Sequence, residues 1–296
     1  MNKDSSYRPH SKFDWSVYIY LLPAFIFYVL FVLFPLGDTF YTSFTDWNGI
    51  SEKKWVGIEQ YVKNLNNKKI TSSIIHSFIL IIFYSFLPII IGLIIAGIMI
   101  RVKIYGLTFY RAVLFLPQIL SMIVVGVSWR WIYAPKGPLN AGLDFFGLED
   151  VSRAWLGSFD YALPAVGFIG TWVMFGFAMI LFIAGVQKIP TELYDAAKVD
   201  GAGAISEFFN VTLPNLRGEM IVALIFTVTL ALRNFDLIWI TTGGGPGTST
   251  MIPSMFIYKK AFQQGQVGSA SSLGIMLTLL IFTLVSLILI LLREKK

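Results

Sequence analysis

Six long apolar stretches separated by polar connections organise the chain: Val17 to Leu36, Ile74 to Ile100, Thr108 to Ile132, Ala162 to Val186, Met220 to Ile240 and Leu273 to Leu292. A helix rises about 1.5 Å per residue, so about 20 apolar residues cross about 30 Å of hydrocarbon. Each stretch is long enough. Separate long runs differ from the weak alternating segments of a barrel, so the pattern predicts an all-α integral membrane fold with six transmembrane helices. The first run follows Lys3, Arg8 and Lys12. It exceeds the apolar core of a secretory signal and no A-x-A-like site follows, which predicts a retained span. The expected organisation is an N-terminal tail at 1–16, a six-span domain at 17–292 with a polar loop at 187–219, and a tail at 293–296.

Composition agrees with a bilayer setting. Of 296 residues, 56% are hydrophobic and 14% charged, with mean hydropathy +0.70, too apolar for an ordinary globular domain. The formal charge of +6 sits in short basic clusters beside apolar runs, which suits positive-inside placement and argues against nucleic-acid binding. A cytoplasmic N-terminus puts Arg101, Lys103, Arg111, Lys188, Lys198, Arg217, Arg293, Lys295 and Lys296 inside with Lys3, Arg8 and Lys12. Lys53, Lys54, Lys63, Lys68, Lys69, Lys136, Arg153, Lys259 and Lys260 then fall outside. The tight turn at Arg101 to Arg111 and the tail after Leu292 weigh most, because short loops and span-flanking positions set orientation. Both termini are therefore expected in the cytoplasm of a bacterial-type plasma (inner) membrane. Trp129, Trp131, Tyr133 and Trp239 would form part of an outer aromatic belt.

One polar insert stands out: "PTELYDAAKVDGAGAISEFFNVTLP" at Pro190 to Pro214. Glu192 to Val199 is a helix candidate, with Thr191 as N-cap, Glu192 and Asp195 toward the positive end and Lys198 toward the other. Gly201 and Gly203 end it. Leu193, Ala196, Ala197 and Asp200 share one face, and the two alanines let another surface approach closely. A second helix is expected at Ala204 to Asn210 before Pro214 redirects the chain. Chemistry alone leaves two readings, an amphipathic element lying on the membrane or a docking element.

Asp195-Ala196-Ala197, three residues, Gly201, nine residues and Val211-Thr212-Leu213-Pro214 together resemble the EAA loop of permease subunits from binding-protein-dependent ABC importers. Asp195 stands for the usual glutamate and Val211 for the usual isoleucine. In that family the loop docks as a coupling helix in a cleft of the ATP-hydrolysing subunit. The resemblance thus implies coupling roles for Glu192, Asp195, Ala196, Ala197, Asp200, Gly201, Leu213 and Pro214. "IPTELYDAAKVDGA", "TTGGGPGTST" at Thr241 to Thr250 and "WRWIYAPKGPLN" at Trp129 to Asn140 are similar to the carbohydrate-importing branch of maltose and glycerol-phosphate type permeases. The resemblance implies a type I ABC importer permease fold working by alternating access. It also implies a second permease in a heterodimer, two ATP-binding subunits, an extracytoplasmic solute-binding protein and a carbohydrate substrate.

Candidate chemistry is sparse. There is no cysteine, and His10 and His76 are the only imidazoles, so no metal or other cofactor is expected. Gly142 to Gly147 has P-loop glycine spacing but is followed by Leu148, so this chain is not the ATPase. The glycines at 243–247 suggest a tight outer turn. Arg233 and Asp236 at i, i+3 are expected to neutralise each other and face the bundle interior. With Asn234 and Phe235 they are candidates to line a sugar path, amide and carboxylate meeting hydroxyls and the ring stacking on a pyranose. Gln118 and Ser121, after Pro117, form a second candidate patch; helix packing is the alternative for both. Gly92 with Ala96, and Trp172, Gly176 and Gly185, are expected to permit close helix contact. His76 is expected near a helix start, and Glu219 at the positive end of the fifth span. An ion-coupled secondary transporter would need intramembrane carboxylates, and only Asp236 comes near. A membrane enzyme would need a motif such as H-E-x-x-H, and none occurs.

Overall fold

The computed structural model describes residues 15–101 and 105–292. Most of the tail expected at 1–16, the tail at 293–296, and His10, Lys103 and the terminal basic residues lie outside them. The first rod joins α1 (Trp15–Tyr28), a π turn (Val29–Leu33) and α2 (Phe34–Thr42). An antiparallel hairpin follows, β1 (Thr45–Asp46) with β2 (Lys54–Trp55), pairing Thr45 with Trp55. Its sheet is too short to stand alone, and Phe44, Trp55 and Tyr61 pack rings around it at 5.4 Å. Then come α3 (Glu59–Leu65) and α4 (Lys68–Ile81), which runs through a π turn (Ile82–Phe86) into α5 (Leu87–Arg101). This helix starts before the expected Ile74 because Asn67 caps it, its side-chain oxygen accepting from Lys69 N at 3.0 Å.

The third span is not one helix. α6 (Leu107–Ile119) and α7 (Met122–Ile132) meet at 95°, with Leu120 and Ser121 extended between them. Pro117 has no N–H for the ladder and weakens the last turn of α6. α8 (Pro138–Phe145) and a 3₁₀ turn (Glu149–Val151) lead to the unbroken α9 (Ala162–Val186). The polar insert carries α10 (Thr191–Val199), then α11 (Ala204–Glu207), a π turn (Phe208–Thr212) and α12 (Leu213–Asn215). The fifth span also ends early. α13 (Arg217–Arg233) stops where Asn234 and Phe235 leave helical geometry, and α14 (Asp236–Thr241) starts anew. α15 (Pro253–Tyr258) continues through a π turn (Lys259–Gln263), and α16 (Val267–Leu292) is the last helix. Among the described residues, four helical rods are long and apolar enough to cross a membrane, and up to six spans result if the bent pairs each count as one.

α9 is the hub. Its face toward α5, α6 and α13 is lined by small residues, as expected where lipid removes the hydrophobic incentive for helices to associate and close packing must supply it. A side-chain carbon on Gly92 of α5 would lie 2.8 Å from Ala178 Cβ and Met179 N. One on Gly176 would strike the Leu114 carbonyl of α6, and one on Gly185 would meet Leu216 and Glu219. Two buried hydroxyls on these helices are satisfied internally. Thr171 Oγ1 donates to the Phe83 carbonyl at 2.6 Å, inside the π turn, and Thr227 Oγ1 donates to Ser85 Oγ at 2.7 Å.

Two expectations about side chains need correction. Tyr133 is a core residue rather than part of a belt: it is 7% exposed, and its hydroxyl donates to the Ala165 carbonyl at 3.3 Å. Trp129 and Trp239 are half-buried too, Trp129 against Trp172 and Trp239 against Phe235, leaving Trp131 exposed. His76 is no cap-region residue, because α4 begins earlier; its Nδ1 shares a hydrogen bond of 2.8 Å with the Met251 carbonyl.

The close approach at Gly176 gives a direct expectation. Gly176→Ala forces α6 away from α9 and destabilises the fold by about 1–3 kcal/mol, whereas Gly274→Ala, which meets nothing within 4 Å, is neutral or mildly stabilising. Thermal melts followed by fluorescence-detected size exclusion check the pair.

Candidate coupling face and solute path

α10 carries no buried residue. Pro190 enters it with φ −55° and ψ 134° and takes the N-cap position, so Thr191 is the first helical residue and makes no capping bond, contrary to expectation. The end is more elaborate. Ala202 N donates to the Ala197 carbonyl at 2.9 Å and Gly201 N to that of Lys198 at 3.0 Å, a Schellman arrangement that needs a left-handed residue. Gly201 supplies it at φ 79°. Glu192, Asp195, Ala196 and Asp200 are exposed and Ala197 half-buried, with Lys198 reaching Asp195 at 3.6 Å. Leu193, Val199 and Ile205 add exposed apolar surface, Val199 at 89%.

The base of this helix is fixed while its outer face is free. Tyr194 hydroxyl and Thr212 Oγ1 share a 3.0 Å hydrogen bond, and Tyr194 packs on the core around Phe182 and Leu216. Lys188 and Glu219 close the ends of the loop at 3.1 Å. Leu213 and Pro214 lie on α12, below the exposed helix rather than on it. The helix expected at Ala204 to Asn210 extends to Asn215, and Pro214 does not redirect the chain. Leu213 N bonds to the Phe208 carbonyl in π register immediately before it, and the 69° bend comes after Asn215.

The candidate path residues are separated by the helix breaks. Arg233 ends α13 and Asp236 begins α14, so they share no helical face, and no ion pair joins them among the described residues. Both are exposed. Between them, Asn234 donates from its amide to Tyr84 Oη at 2.7 Å, and its carbonyl accepts from Ser254 Oγ at 2.5 Å. Phe235 stacks on Trp239 at 5.6 Å and tilts against Tyr258 at 5.3 Å. Gln118 is half-buried near the end of α6, and Ser121 is exposed in the following break, so they do not form the expected one-face patch. Gln118 Oε1 is buried without a hydrogen-bond partner. A carboxamide oxygen in that state is poised to accept from a donor.

The helices that follow the two breaks, α7 and α14, pack together. A side chain on Gly126 would collide with Ile240, and Arg130 Nη1 donates to the Ile240 carbonyl at 3.4 Å. Beyond α14, the glycine turn is folded tightly: Thr242 and Thr250 hydroxyls meet at 2.7 Å and Thr250 Oγ1 donates to the Gly245 carbonyl at 2.9 Å. Tyr84 and Ser254 escaped sequence reasoning because nothing local ties them to Asn234, 150 and 20 residues away. The break itself had a signal in Asn234, a poor helix former whose side chain competes for backbone partners.

An exposed helix closed by glycine at one end of the bundle, with paired broken spans leading away from it, is the architecture of a transporter permease. Residues 89–295 match the family described as "Binding-protein-dependent transport system inner membrane component", and the chain belongs to that family of membrane-spanning ABC permease subunits. Among its relatives, the probable ABC transporter permease protein YurN of Bacillus subtilis (strain 168) is 35% identical over 263 residues, covering 87% of this chain and 89% of YurN. The diacetylchitobiose uptake permease NgcF of Streptomyces coelicolor is 32% identical, covering 84% of this chain and 74% of its own length. The trehalose/maltose permease MalF of Thermococcus litoralis is 32% identical, covering 90% and 91%. A crystal structure of a bacterial ABC transporter involved in import of the acidic polysaccharide alginate superposes with TM-score 0.79 at 22% identity, over 95% of this chain and 96% of that one. The shared fold is the type I ABC importer permease fold.

Tyr84→Phe deletes the oxygen that Asn234 donates to, leaving a desolvated amide at the break. A loss of about 1–3 kcal/mol is expected, read as a lower melting midpoint, with Tyr20→Phe on the exposed first rod as an unaffected control.

Proposed function

We propose that this chain is the permease subunit of an ATP-driven carbohydrate importer. In this reading it pairs with a second permease, docks two ATP-binding subunits through α10 on the cytoplasmic side, and receives solute from an extracytoplasmic binding protein. The carrying observation is α10 itself: a helix with no buried residue, small side chains at its centre, and a terminus that only a left-handed glycine satisfies. Such exposure is costly to maintain without a partner surface. Relatives named for diacetylchitobiose, multiple-sugar and trehalose/maltose transport support a carbohydrate as the cargo. No bond of the cargo is made or broken by this subunit; hydrolysis belongs to its ATP-binding partners. Membership of a permease family disfavours ion-coupled secondary transport.

Alternating access follows from the way the pieces are joined. α10 hangs between α9 and α13, and Lys188 with Glu219 ties the two attachment points together. Force on α10 is therefore delivered to both helices at once. α13 leads to the Asn234–Phe235 break and α9 packs on α6, which leads to the Leu120–Ser121 break. The α7–α14 pair lies beyond both breaks, so closure of the ATP-binding subunits would rock it relative to the docking end. The exposed Asp236 and Ser121, the partnerless Gln118 oxygen, and Asn234 with Phe235 would then face cargo between the two permeases. Asp236 offers a carboxylate to hydroxyls and Phe235 an aromatic face.

Ala196→Lys places a long cation at the centre of the docking face, and Gly201→Asp strains the left-handed terminus by about 1–2 kcal/mol. Both are expected to abolish radiolabelled sugar uptake while the protein stays in the membrane, with Gly201→Asn milder. Detergent extracts that capture parental amounts of ATP-binding subunit, together with persisting uptake, would refute docking through α10. For the path, Asp236→Asn is expected to alter uptake more than Arg130→Gln, and equally negligible effects would remove the break as a solute contact.

A further inference from the structure

Two cavities follow one another along α16, and neither belongs to the coupling face or the solute path. The first, of about 270 Å³, is polar and lies at the starts of α4 and α16, where Asn67, Lys260, Gln266 and Ser269 line it with Asp46 of β1 and Gln60, Lys63 and Asn64 of α3. The second, of about 340 Å³, is apolar and lies between Ile70 and Ile74 of α4, Pro253 of α15, and Leu273, Met276 and Leu280 of α16. α4, α15 and α16 border both, since Lys260 stands on the π continuation of α15, and β1 and α3 complete the polar one. Asn67, Ile70 and Ile74 lie at i, i+3, i+7; Ser269, Leu273, Met276 and Leu280 at i, i+4, i+7, i+11. These spacings put polar and apolar residues on one face of each helix, about one turn apart. The apolar cleft continues to Thr283, ten residues beyond Leu273 and thus about 15 Å along the axis. That is about half of a 30 Å hydrocarbon core, the depth of one leaflet.

Two ammonium groups, Lys63 and Lys260, and one carboxylate, Asp46, line the polar cavity. Lys63 is engaged by Glu59 at 2.7 Å, and the Asp46 carboxylate accepts from Gln60 Nε2 at 3.2 Å. Lys260 is half-buried, donating only to the neutral Ser269 Oγ at 2.9 Å and Gln266 Oε1 at 3.2 Å. Among the described residues no carboxylate reaches it. Burial alone pushes its ammonium below the usual lysine range, with no anion to offset it. A half-buried ammonium with no carboxylate in ion-pair range, bonded to an amide and a hydroxyl and sharing its cavity with Asp46, is suited to a phosphodiester bearing hydroxyls. The adjoining cleft is suited to a chain.

We propose that the cleft between α4, α15 and α16 holds an anionic phospholipid, its phosphate against Lys260 and one acyl chain along α16 from Leu273 to Thr283. The site is independent of the transport reading and requires only that these helices stand in a bilayer. A free phosphate would use the polar cavity but leave the cleft empty. A second permease subunit would cover the cleft without needing the lone ammonium.

Native mass spectrometry of the full chain in mild detergent, offered phosphatidylglycerol or phosphatidylcholine with identical acyl chains, tests this. Phosphatidylglycerol adducts are expected to survive collision energies that strip phosphatidylcholine, several-fold more abundantly, and Lys260→Gln is expected to erase that preference. The comparison of lipids on the unsubstituted protein stands even if the variant folds poorly. Equal retention of the two lipids overturns the proposal, as does a preference that persists in a folded Lys260→Gln protein. Displacement of the lipid by millimolar glycerol phosphate would reduce the site to a phosphate pocket and equally overturn it.

Discussion

Every backbone group released at a helix break must find a partner, because hydrocarbon offers none, and this requirement decides where the present chain can bend. At Asn234 the freed carbonyl is taken by Ser254 and the side-chain amide by Tyr84. In the π turn at Ile82–Phe86 the carbonyl of Phe83 is taken by Thr171. Each bond is made by a residue on another element, so these two irregularities are properties of the assembled bundle rather than of the helices that contain them. Moving Ser254 or Tyr84 relative to Asn234 changes the energy of the break, which a straight helix with internal bonds does not allow.

Position along α9 explains how the two ends of the bundle are connected. Gly167 and Gly170 receive the rings of Phe83 and Tyr84, Gly176 receives α6, and Gly185 receives Leu216 and Glu219 beside the polar insert. The same straight helix therefore touches the break region through Tyr84 and the polar insert through Leu216. Packed interiors deform by discrete rearrangement rather than by gradual compression. On the proposed function, displacement at Gly185 would be passed along this rod to Gly170.

Much of this was legible in the sequence where periodicity and composition dominate. The long apolar runs announced the helical membrane fold, and Gly201 announced the end of α10, because a left-handed Schellman position selects for glycine. What escaped was local geometry set by distant partners. The runs at Thr108 to Ile132 and Met220 to Ile240 are apolar enough to pass for single helices. The first break follows Pro117, and the second rests on Asn234 in combination with Tyr84 and Ser254, which no window of sequence contains together. The assumed i, i+3 pairing of Arg233 with Asp236 failed for the same reason. Tyr133 was misplaced because an aromatic near a span end has the same local signature whether its hydroxyl meets headgroups or the carbonyl of Ala165.

The nine residues of α10 are too few to persist as an isolated helix in water, where nucleation alone disfavours lengths under about 12–15 residues. Its persistence here rests on contributions outside the helical ladder: the left-handed closure at Gly201, the Tyr194–Thr212 bond, and the clamp of its flanks between α9 and α13. These secure one side and the two ends but leave Leu193, Ala196 and Asp200 uncovered. A surface that closes over that uncovered side would favour the helical state and become rigidly linked to both attachment helices. Docking and force transmission would then be one event: the contact that orders α10 is the contact through which it is pushed.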